Sequence, residues 1–208
     1  MKTIITFFIN SNIWVAFCVL GLAASSEALL GINDFKISQF VFFSTIFAYN
    51  FQRSVRIKKG YEHSYKSWLE KNIKASYFLM LIAASVSLFL FLHFKLSTQI
   101  AILFTGALSL FYPFWIREIP FVKIFVISFV WSVSTMLLLV LENNITISQN
   151  IICQLASRFS FVFAITIPFD IRDCKYDSKN LRTIPLFFGV KRAKNIAVLS
   201  LFICGWWC

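Results

Sequence analysis

The chain has 208 residues, 59% of them hydrophobic and only 14% charged, with a mean hydropathy of +0.76. That balance excludes a water-soluble domain of this length and points to a polytopic membrane protein. The net charge of +11 suggests nucleic acid as a partner, but the basic residues fall in loops between apolar runs, where they set topology, and no nucleic-acid motif accompanies them.

A membrane-spanning helix needs about 20 apolar residues. Runs that meet or approach this length lie at 12–30, 37–52, 75–94, 100–116, 121–141 and 151–171, and an unfinished one lies at 195–208. The expected fold is an all-α, polytopic transmembrane bundle of six complete spans and a truncated seventh. It is expected to form a single membrane domain over 1–208, incomplete at its C-terminus. The apolar stretch before the first span carries one Lys and no small-residue cleavage site, so it reads as a lead-in to that span.

The loop from Arg53 to Lys74 has room for a short helix, and Ser67-Trp68-Leu69-Glu70 has the form of a capping box. Tyr65 and Trp68 suit a membrane interface. A lid over a cavity and an interfacial anchor are both open readings of this loop.

Basic residues set the orientation. Lys2 and the loops after the second, fourth and sixth spans hold 17 of the 20 Lys and Arg, so the N-terminus and these loops are expected on the cytoplasmic side of a cell membrane. Asn144-Ile145-Thr146 is a glycosylation sequon on the opposite face. The 26 phenylalanines either face lipid or line an apolar cavity. Five cysteines, an odd number without CxxC spacing, imply neither a disulfide framework nor a zinc site.

Two charged residues fall inside spans. Arg158 costs about 2.5 to 3.5 kcal/mol at a helix centre on insertion scales, so it either faces the bundle interior or snorkels outward. It lies roughly 18 Å along the helix from Asp170, too far for direct pairing. Glu27, near the outer end of the first span, reads as interfacial. Pro168 frees the carbonyl of Ala164 and is expected to open the sixth helix near its end.

Beyond that proline three acids fall within eight residues. If the helix continues, Asp170, Asp173 and Asp177 (i, i+3, i+7) share one face and repel one another, the more so near a helix C-terminus. Arg172, Lys175 and Lys179 or a bound cation must compensate. Mg2+ fits, because it binds through one or two carboxylates and takes further ligands from substrate phosphates. The alternative is a solvated loop in which each acid is screened by a neighbouring base.

The run Asp170-Ile171-Arg172-Asp173, Asp177, Arg182-Thr183-Ile184-Pro185 and Gly189 resembles the second aspartate-rich motif of the UbiA superfamily of intramembrane prenyltransferases. The resemblance implies a ring of helices around a lipid-accessible cavity. It also implies transfer of an isoprenyl group from a polyprenyl diphosphate to a lipid-soluble, often aromatic, acceptor, with Mg2+ as cofactor. Asp173 and Asp177 become the catalytic, metal-bridging pair and Asp170 a third metal ligand. Asn50, Arg53, Lys58, Arg172 and Arg182 become substrate-binding residues.

The family's first motif is Asn-(x)3-Asp-(x)3-Asp. Here Asn50 fits its first position, while Ser54 and Lys58 occupy the acidic ones. Arg53, Arg56, Lys58 and Lys59 then serve either as diphosphate ligands or as topology signals. The alternative to an enzyme is a degenerate, non-catalytic member that binds isoprenoid lipid or a membrane partner.

Overall fold

A computed structural model describes residues 2–58, 66–112, 114, 119, 121–174 and 183–206, with backbone alone at 2–4 and 66. Among the described residues the fold is helical throughout, without strands. Four helices are long and apolar enough to cross a membrane: Ile13–Leu30 (α2), Ile73–Leu92 (α5), the continuous run Val122–Glu142, and Gln149–Asp173 (α9). Helices close on themselves in lipid because each backbone N–H finds a carbonyl four residues back, which no open strand can do.

The other two expected spans differ from these. Lys36–Lys58 (α3) is 23 residues long, but Gln39, Asn50, Gln52 and Arg53 interrupt its apolar character. Leu96–Phe111 (α6) is apolar yet only 16 residues. The last run forms Val190–Trp206 (α11), of 17 residues. The lead-in forms a separate helix, Lys2–Asn10 (α1), and the polar loop contributes Lys66–Lys71 (α4). Ser67 lies inside α4, not ahead of it, so it does not cap that helix. Trp68 packs edge-on against Phe7 of α1, with centroids 5.8 Å apart, joining the two short helices. Tyr65 lies outside the described residues.

The run Val122–Glu142 is α-helical at Val122–Ser132 (α7) and Leu138–Glu142 (α8), with a π-helical turn at Val133–Leu137 between them. This wider turn packs against α2, and Val133, Leu138 and Leu139 join Val19 of α2, Ile37 and Val41 of α3, and Phe94 in one buried cluster. A second cluster, Ile124, Ile167, Ile184, Ala193 and Ala197, holds α7, α9 and α11 together with the short helix Ile184–Phe188 (α10). Many phenylalanines lie outside both clusters: Phe78, Phe89, Phe104 and Phe202 are exposed, as lipid-facing residues are.

α9 runs unbroken through Pro168 to Asp173, although Pro168 has no N–H to give the carbonyl of Ala164. Arg158, midway along it, is half-buried and reaches across to α2. Its guanidinium donates to the Leu22 carbonyl at 2.7 Å and to Ser26 Oγ at 2.7 Å, both on α2. Glu27, expected at an interface, is instead 1% exposed.

Candidate functional site

The acidic motif begins on the last turn of α9. Asp170 is 2% exposed and its carboxylate lies 2.5 Å from the ammonium of Lys123, in the first turn of α7. Asp173, one turn on, accepts a 2.8 Å hydrogen bond from Nε of Arg172. The two pairs differ in setting, since Lys123 is 19% exposed and Arg172 64%. Arg172 also lies over the Phe169 ring, 5.3 Å from its centroid. Asp177 and Arg182 lie outside the described residues, as do Lys175 and Lys179.

Lys123 was legible only as a topology signal. A lysine in the first turn of an apolar helix faces an unfavourable helix dipole, and the buried acid one element away explains its presence there. Just ahead of it, Phe121 has φ 63°, a left-handed backbone that costs a bulky residue of order 1–3 kcal/mol. Its ring is fixed by Phe187 at 5.3 Å and Phe188 at 6.0 Å, both on α10.

The Thr-Ile-Pro segment opens α10. Thr183 sits at its N-cap in an extended conformation and Pro185 falls in its first turn, where the missing N–H is not needed. The Thr183 hydroxyl is buried and has no hydrogen-bond partner among the described residues. Gly189 ends the helix at φ 82°, a conformation that glycine adopts without strain.

The residues of the first motif occupy another corner, at the elbow between α1 and α2. Asn12 takes a left-handed φ of 60° to make the turn. Asn50, 2% exposed, donates to the Ser11 and Ile46 carbonyls, both at 2.8 Å, and accepts from the Asn12 amide at 3.0 Å. Arg53 donates to Asn12 Oδ1 at 2.8 Å and to the Asn10 carbonyl. Asn50 and Arg53, expected as substrate ligands, thus fasten the elbow to α3. Ser54 bonds back to the Asn50 carbonyl at 2.9 Å, and Lys58 ends α3 exposed. One turn past Arg53, Nε of Arg56 is buried and has no hydrogen-bond partner among the described residues.

No group of three His, Cys, Asp or Glu able to hold a metal occurs among the described residues. The donors are nonetheless of the right chemistry for Mg2+, which needs few protein carboxylates when phosphate supplies the rest. Asp173 fits that role, because its partner Arg172 is exposed and can turn away. Asp170 fits it only if Lys123 leaves. No family model matches the chain, and no curated protein or solved structure matches it.

Proposed function

We propose that the chain is an intramembrane prenyltransferase of the kind its acidic motif resembles. It takes a polyprenyl diphosphate at the loop end of α9 and passes the isoprenyl group to a lipid-soluble acceptor. This reading places that end, and the N-terminus, in the cytoplasm and takes α3 and α6 as the remaining two spans.

The observation that carries the proposal is the buried Asp170 under Lys123, with Asp173 one turn on. Acids and bases are gathered where an apolar helix leaves the bundle. Asp173 would hold Mg2+, whose charge, when bound, eases departure of the diphosphate. Lys123 fixes Asp170 and keeps the last turn of α9 against α7. Arg172 offers a planar guanidinium to phosphate oxygens once it releases Asp173. Phe125 and Phe163, with centroids 5.4 Å apart, supply an apolar wall of the kind that keeps water from a reactive isoprenyl group.

A second reading, a non-catalytic relative that binds isoprenoid lipid, is favoured by the first motif. Asn50 and Arg53 are engaged at the elbow, and Ser54 and Lys58 stand where carboxylates are needed.

The test is Mg2+-dependent binding of a polyprenyl diphosphate, and release of its diphosphate to an acceptor, by the purified chain in lipid nanodiscs. Asp173→Asn should abolish both, whereas Ser54→Asp should leave binding intact or strengthen it. Unchanged affinity and unchanged Mg2+ dependence in Asp173→Asn would defeat the proposal. Binding without release would favour the second reading.

A further inference from the structure

Besides Asp170, the described residues hold one other carboxylate shut away from solvent. Glu27, near the end of α2, is 1% exposed. Neither of its oxygens has a hydrogen-bond partner, and no Lys, Arg or His among the described residues forms an ion pair with it. Ser38, in the first turn of α3, is a polar neighbour whose hydroxyl and backbone N–H both act on the carboxylate. The Ser38 hydroxyl is itself buried and has no hydrogen-bond partner among the described residues.

The surrounding charges do not neutralise Glu27. Asp34 acts on it from the loop between α2 and α3, and is itself held by Lys36 at 2.9 Å. Glu142 acts on Lys36 in turn. Arg158 directs its guanidinium at Leu22 and Ser26 on α2. The elements packed most closely on α2 are α1, α3 and the π-helical turn. The turn contains no ionisable residue, α3 has only Tyr49 between Lys36 and Arg53, and α1 has only Lys2.

We propose that Glu27 is a proton-binding site inside the bundle, with the bound proton shared with Ser38. An ionised carboxylate without water or partner is far costlier than a neutral acid, and the partial charge at the start of α3 offsets only part of it. One added proton satisfies all three orphaned atoms: the acid O–H donates to Ser38 Oγ, and the Ser38 hydroxyl donates to the second carboxyl oxygen. Loss of the proton strands a charge between α2 and α3, close to the π-helical turn, a wider turn of a kind frequent at functional sites. Proton occupancy is thereby coupled to how tightly those elements close. An ionisable group held inside a membrane bundle commonly marks an ion or proton site, and this one stands independently of prenyl transfer.

Infrared spectroscopy of the purified full-length chain in lipid nanodiscs tests this. At neutral pH the native spectrum should contain a protonated-carboxyl carbonyl band that is lost in Glu27→Gln and displaced in Ser38→Ala. If Glu27→Gln removes only carboxylate bands, Glu27 is an anionic cap on α3 and the proposal fails. Carboxylate bands that respond to exchange of sodium for potassium would overturn it in favour of a cation site. Should Glu27→Gln fail to fold, isotope labelling of the glutamate carboxyls in the native chain gives the same reading: a labelled protonated band supports the proposal, and its absence defeats it.

Discussion

Lys123 and Asp170 form an ion pair 2.5 Å long between the first turn of α7 and the last turn of α9, with the acid almost wholly enclosed. Removing one partner strands a buried charge, whereas replacing both with apolar residues does not. Lys123→Met should therefore destabilise the fold by about 3–5 kcal/mol. The double variant Lys123→Met with Asp170→Leu should recover most of that loss. Unfolding of the three proteins in mixed micelles checks the order; a double variant as unstable as Lys123→Met would show that the pair does more than balance charge.

At the elbow between α1 and α2, Asn50→Ala leaves the Ser11 carbonyl and the side-chain N–H of Asn12 without their Asn50 partners. The expected cost is about 1–3 kcal/mol. Asn12→Gly loses one side chain but keeps an easy left-handed turn, while Asn12→Ala loses both. Thermal unfolding should rank Ala below Gly at position 12, and Gly below the native chain.

Arg158 tests two opposed effects. Arg158→Leu should make α9 easier to insert, by about 2.5 to 3.5 kcal/mol on insertion scales, yet loosen its hold on α2. A double-mutant cycle with Ser26→Ala should give a coupling of about 0.6 kcal/mol, and no more than about 1.7 kcal/mol. Zero coupling would mean that partners other than Ser26, among them the Leu22 carbonyl and Ser25 Oγ, anchor the guanidinium.

Asp173 and Arg172 are adjacent and Arg172 is largely exposed, so their pairing contributes only about 0–1 kcal/mol. Asp173→Asn should leave the unfolding transition almost where it was. Any loss of diphosphate binding in that variant then reports on the site and not on the fold.

Gly189 ends α10 at φ 82°, and a Cβ placed there would meet nothing within 4 Å. Gly189→Ala should therefore cost only the backbone strain, about 1–3 kcal/mol, without steric conflict. A larger loss in thermal unfolding would show that the turn after α10 carries more than geometry.

Run length and composition alone determined that this is a helical membrane protein and where most helices lie. A backbone in lipid must satisfy its own hydrogen bonds, and a helix does so within one segment whatever its neighbours. The start of α9 was legible for the same reason, whereas the short helix α10 was not, because Thr183-Ile184-Pro185 and Gly189 entered only through a resemblance. Nor were the destinations of the polar side chains legible. Asn50 bonds to Asn12 across 38 positions and Arg158 to Ser26 across 132, while Asp170 meets Lys123 on a different helix. Spacing shows which residues share a face of one helix, but which faces meet depends on how apolar surfaces pack around the whole bundle. That packing made Asn50 a fastening for the elbow, joined Arg158 to α2, and enclosed Glu27 beside Ser38.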